Sequence, residues 1–179
     1  MLDTANQCVL RFTKCGKHLD VQRPFPAAQA ENDGGDYLHI NAIAALAEGV
    51  AVLAHNGKRR PAMASELIIL DRKWQETART LLPDPGCHDI VPDENGSLWH
   101  CAAMIGAFIC SDARRVPVAP ERMTRGLLFD REHILVGTSV FGDRSVRDVP
   151  PGSVIMLGRD FRRIGEVPVG GPPATIIAL

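Results

Sequence analysis

Long apolar runs, a leader-like start and an excess of either charge are all missing from this chain. The most apolar window, 38–54, is interrupted by His39, Asn41, Glu48 and Gly49 and is too short and too polar for a membrane-spanning helix. The start, Met1-Leu2-Asp3-Thr4-Ala5-Asn6, has no basic region followed by an apolar stretch, so no secretory leader is expected. Acidic and basic residues nearly cancel, 21 against 20. The resulting net charge of −1 gives no basic field for nucleic acid and no polybasic face for a membrane. Cysteine is sparse: Cys8, Cys15, Cys87, Cys101 and Cys110 are odd in number and contain no Cys-x-x-Cys. They read as reduced, buried thiols, and the expected location is the cytoplasm. HExxH, P-loop, GxGxxG and GxSxG patterns are absent as well.

What is present is turn chemistry and repetition. The 179 residues are 45% hydrophobic and 23% charged, the profile of a soluble globular chain, and include 16 glycines and 13 prolines. Glu66-Leu67-Ile68-Ile69-Leu70-Asp71-Arg72-Lys73-Trp74 aligns without a gap on Ser153-Val154-Ile155-Met156-Leu157-Gly158-Arg159-Asp160-Phe161. Each copy is an apolar run, a polar turn and an aromatic residue. Residues 106–112 and, less closely, 8–14 fit the same frame. The spacing is irregular and close to the ~40–50 residues of propeller blades.

The segments before three of these runs also match. Residues 40–46 and 50–54, 88–91 and 98–102, and 126–129 and 134–138 each read as a hairpin around a polar turn, Asn95-Gly96-Ser97 lying in the second. Outer strands follow at 76–82, 115–118 and 163–169, and a polar insertion occupies 139–151. A helix over 40–54 is the competing reading, since Ala and Leu favour it. Gly49, Val50 and Val52 oppose it, and the parallel with the other hairpins decides for strands.

Asp3-Thr4-x-Asn6-x-x-Val9-x-x-Phe12-x-x-x-Gly16-x-x-Leu19 resembles the NHL-type propeller repeat. Leu38-His39-Ile40-Asn41, His88-Asp89-Ile90 and Thr124-Arg125-Gly126-Leu127, with Leu135-Val136-Gly137-Thr138-Ser139, resemble a bacterial propeller family of unknown function. The resemblance implies an all-β fold, a partial β-propeller of four-stranded antiparallel blades. Residues 1–22 would be a partial blade, 37–82, 88–119 and 124–170 whole blades, and 172–179 the start of a further one. Such propellers usually have six blades, so this chain reads as N-terminally truncated or as completed by another chain through open edges.

Innermost strands line a propeller's channel, and polar residues that open them would converge there. The candidates are His39, Asn41, His88, Asp89 and Arg125. Imidazole titrates near neutral pH, Asn and Asp supply oxygens, and Arg takes oxyanions bidentately. Together they suit a small anion, although ties between neighbouring blades would need the same residue types. The leading expectation is a binding or scaffold module for a small molecule or protein partner. The alternative is a hydrolase or lyase at the channel mouth, metal-assisted in the manner of lactonases. Cys87-His88 beside His39 lacks the second ligand pair of a zinc site, so no metal is assigned, and no cofactor is named by the residues. His18, His55, His100 and His133 read as solvated or half-buried, and Trp74, Trp99 and Phe161 as packing between blades. A two-residue turn at Ile105-Gly106 would set Cys101 opposite Cys110, close together but reduced.

Overall fold

The computed structural model describes residues 1–27, 36–57, 63–141 and 151–178. The chain is all-β. Strands β1 (Leu2–Asp3), β2 (Cys8–Phe12) and β3 (His18–Gln22) form a three-stranded sheet. Three four-stranded sheets follow. The second is β4 (Ile40–Leu46), β5 (Gly49–Ala54), β6 (Glu66–Asp71) and β7 (Glu76–Leu81). The third is β8 (Cys87–Pro92), β9 (Leu98–Ala102), β10 (Ala107–Cys110) and β11 (Arg115–Pro117). The fourth is β12 (Arg122–Phe129), β13 (His133–Val140), β14 (Gly152–Gly158) and β15 (Arg163–Val169). Every sheet is an antiparallel meander in chain order, the layout of a propeller blade. The window 40–54 is a hairpin and not a helix: Ile40, Ala42 and Ala44 are buried in alternation along β4, the period of a strand.

The repeat is carried by one turn. At Thr13–Gly16, Asp71–Trp74, Cys110–Ala113 and Gly158–Phe161 the fourth residue's N–H donates to the first residue's carbonyl at 2.9–3.0 Å. In each copy that fourth residue is left-handed, with φ of 84°, 66°, 71° and 66°. Glycine is at ease there, whereas Trp74 and Phe161 are strained by their Cβ. Their rings supply the compensation. Trp74 packs on the apolar core of the first two sheets, and Phe161 lies 5.5 Å from Trp99 and 6.0 Å from Phe108.

Contacts divide the chain into two compact units, Met1–Gly86 and Cys87–Leu179. In the first, Leu38, Ile40, Val52, Ala54, Ile68 and Leu70 form a core with Phe25. Gln7, 1% exposed, ties the loop before β4 in place: its Nε2 donates to the carbonyls of Pro26 and Asp36 at 3.0 Å, and its Oε1 accepts the N–H of Leu38. In the second unit the facing sheets enclose Trp99, Phe108, Leu127, Ile134, Val136, Ile155 and Leu157. Trp99 donates its indole N–H to Asp93 at 3.0 Å, which removes the cost of burying it.

Three expectations change. First, β9 and β10 are joined by a 3-10 turn, Ala103–Ile105, closed by Gly106, so Ala102 pairs with Ala107. The register therefore moves by two residues: Cys101 faces Phe108 and Cys110 faces Trp99, not each other. Gly106 forces this closure, because at φ 62° a Cβ would sit 1.8 Å from the carbonyl oxygen of Ala119. Second, His100 is fully buried on β9. Third, residues 171–178 form no strand. The prolines at 172 and 173 lack donors for a ladder, and Pro173 instead lies against Gly137 and Gly152. Of the polar insertion, 142–150 lies outside the described residues.

All five cysteines are free, and Cys15 is the exposed one. A thiol reagent is expected to titrate one group rapidly in the native protein and five in denaturant. Gly106→Ala is expected to lower stability by roughly 2–4 kcal/mol, combining left-handed strain with a backbone clash. Gly96→Ala, left-handed but open on all sides, should cost about 1 kcal/mol in the same urea titration.

Candidate functional site

The ladder decides which residues of the three innermost strands are equivalent. Each of β4, β8 and β12 carries a bulge against its neighbour: between Ile40 and Ala42, between His88 and Val91, and between Thr124 and Leu127. The left-handed residues fix the alignment: His39, Asp89 and Gly126 have φ of 51°, 57° and 73°, and each precedes a buried apolar residue, Ile40, Ile90 and Leu127. His88 and Arg125 are therefore the same position, which Leu38 occupies in the N-terminal unit, and Asn41 falls level with Val91 and Leu128. Bulges re-aim side chains and are common at functional rims. His39 is level with Asp89 and Gly126. It is not the partner of His88 in the repeat, although it also opens its strand.

In the C-terminal unit the predicted residues come together. Arg125 Nη2 lies 3.4 Å from His88 Nε2, so the guanidinium donates and the imidazole accepts as its Nδ1-protonated tautomer. Asp89 and Gly126 follow them in the left-handed region, at φ 57° and 73°. Asp89 turns its carboxylate to β12, where Oδ2 accepts the N–H of Leu127 at 2.8 Å. The bond satisfies a donor on β12, which is an edge strand of its sheet. Burial pushes the Asp89 carboxyl up from 3.8 to about 6, against the lowering effect of the Leu127 and Ile90 amides. Cys101, fully buried, is pushed well above the ordinary thiol range by burial and by the charge of Asp89. It is an inert thiol rather than a nucleophile.

In the N-terminal unit His39 stacks on Tyr37 at 5.8 Å and on His55 at 4.9 Å. His55, set aside in the sequence as a strand-end histidine, is thus a member of an aromatic trio. Its one visible signal was position, just after β5 where the strand returns beside His39. The described residues contain no group of three or more His, Cys, Asp or Glu that could hold a metal ion. Among them, no helix is long and apolar enough to cross a membrane.

No family model and no curated protein matches the chain. A crystal structure of a protein of unknown function from Bacteroides caccae is similar, with a TM-score of 0.48 and 11% identity over 92% of this chain and 76% of that one.

Asp89 generates a prediction of definite sign. The folded chain holds this proton to higher pH than the unfolded chain, so stability falls as pH rises from 3.8 to about 6 and stays lower above that. The ionised form then costs on the order of 3 kcal/mol. Asn keeps an oxygen for the Leu127 amide, tolerates the left-handed backbone and carries no charge. Asp89→Asn is expected to stabilise the protein at pH 7.5 by about 1–3 kcal/mol, the gain vanishing below pH ~4. Urea unfolding at the two pH values measures it. A loss at both would mean that the carboxylate is needed for its bond alone.

Proposed function

We propose that this chain is an NHL-like propeller module that binds a small anion through His88 and Arg125, with Asp89 setting the position of the strand behind them. One observation carries the reading: equivalent bulges of successive blades bring an imidazole and a guanidinium to 3.4 Å. A cation cannot join that pair, but an oxyanion can take the guanidinium fork and draw a proton onto His88. Asp89 bears on the same site, since its negative charge opposes an anion and its protonation near pH 6 relieves this. Both effects tighten binding as pH falls. Buried free thiols suit a reducing compartment, which makes the cytoplasm part of the proposal.

The enzymatic reading rests on a different fact. A carboxyl poised near pH 6 beside an imidazole is the equipment of general acid–base chemistry. Under that reading Asp89 is the base of a hydrolase or lyase.

Sulfate separates the two, because it stays doubly charged across the useful range and any pH dependence belongs to the protein. By calorimetry, binding should strengthen several-fold from pH 8 to pH 5.5. Arg125→Gln should abolish it, and His88→Ala should weaken it about tenfold and flatten the pH profile. Binding untouched by either change sinks the anion site. Turnover of a simple lactone lost in Asp89→Asn, with sulfate still bound, would establish the enzymatic reading instead.

A further inference from the structure

A second set of donors gathers in the N-terminal unit, far along the chain from His88 and Arg125. A cleft of about 290 Å³ opens between the ends of its two sheets, lined by Arg11, Val50, Asp71, Arg72 and Trp74 among others. Arg72 comes from the repeated turn after β6, and its Nη2 donates to the carbonyl of Ala47 at 2.9 Å, which holds the guanidinium over the turn between β4 and β5. Its ion pair with Glu48 at 3.3 Å is largely in water, with the side chains 71% and 83% exposed. Arg11 pairs with Asp20 at 3.1 Å, also at the surface. Exposed pairs of this kind contribute little and are readily exchanged for a better-placed anion. Asp71 has Oδ1 already taken by the N–H groups of Lys73 and Gln75 at 2.8 and 2.9 Å.

Trp74 supplies the decisive contrast. It is half-buried and held in the left-handed turn by its backbone bond to Asp71, and its indole N–H has no hydrogen-bond partner among the described residues. The other tryptophan, Trp99, has its indole N–H satisfied by Asp93. The repeat-related cleft in the C-terminal unit is differently equipped. There Arg159 is committed to Glu94, to the carbonyl of Asp130 and to the face of Phe129, and Phe161, the counterpart of Trp74 in the repeated turn, packs on Trp99 and Phe108 instead of lining the cleft. Of these two clefts, the N-terminal one combines two weakly engaged guanidinium forks with an uncommitted ring donor.

We infer that the Arg11–Arg72–Trp74 cleft is a binding site for a small ligand bearing a phosphate group. Two forks match a dianionic oxyanion better than a single carboxylate, and the indole N–H adds a third, neutral donor. The site is independent of the one proposed at His88.

Tryptophan fluorescence tests it, because Trp99 is buried in the core and the cleft tryptophan is the accessible reporter. The full chain carrying Arg125→Gln is titrated with inorganic phosphate at pH 7.5, with chloride at matched ionic strength as the control. A saturable change is expected with phosphate alone. Arg11→Ala and Arg72→Ala should each weaken it at least tenfold, Arg72→Lys should weaken it by less, and Arg159→Ala should leave it unchanged. In Trp74→Phe the optical signal should vanish while phosphorus NMR line broadening still reports binding, weakened a few-fold. A response equal to that of chloride overturns the inference, as does one indifferent to both arginine-to-alanine changes. An equal response to acetate would overturn the phosphate assignment.

Discussion

Each innermost strand breaks its ladder at one place, and the site residues are where they are because of that break. An antiparallel ladder alternates side chains between two faces, so an uninterrupted β8 would point His88 and Ile90 the same way. The extra residue resets the alternation. Ile90 and Leu127 go into the core at 4% and 1% exposure, while His88 and Arg125 remain able to meet. Beside the bulge, Asp89 accepts the N–H of Leu127 on the edge strand β12. Core packing, the bond between strands and the polar pair are consequences of one irregularity. The Gly at 126 and the Asp at 89 are both residue types that tolerate the left-handed backbone it requires.

The same geometry explains why a carboxylate sits at a cost inside the second unit. Asparagine would serve the Leu127 amide as well and would not pay for burying a charge. A buried group held near neutral pH is more typical of binding or catalytic sites than of scaffolding. Cys87 and Cys101, close by on β8 and β9, are fully buried. The Asp89 pKa is raised by burial and not by any one charged neighbour.

The two halves of the chain use the repeated turn after the third strand differently. In both, an arginine just inside the turn donates to a carbonyl of the first hairpin's turn, Arg72 to Ala47 and Arg159 to Asp130. The scaffold contact is common to both. What differs is the aromatic residue and its surroundings. Phe161 is absorbed by the Trp99 cluster, whereas Trp74 stays at the cleft with its polar edge uncommitted. A repeat can thus keep its folding function in every copy and leave an uncommitted polar group in one.

Strand content and blade layout were legible in the residues, because period-two alternation and turn chemistry are local properties. The hairpins at 40–54, 88–102 and 126–138 and the outer strand at 163–169 could be placed from pattern alone, as could the roles of Trp99 and Phe161 in packing. Register was not legible. Met104-Ile105-Gly106 reads equally as a tight hairpin or a short 3-10 turn. The choice belongs to the carbonyl of Ala119, which leaves no room for a Cβ at position 106. The sequence likewise grouped His39 with His88, while the backbone sets His39 level with Asp89 and stacks it on Tyr37 and His55. Composition and periodicity by themselves determined that this chain is a series of four-stranded meanders with polar residues opening the inner strands. Which of those residues touch, and at what proton affinity, was decided only by tertiary structure, because a bulge and a buried charge depend on atoms brought together from strands distant in the chain.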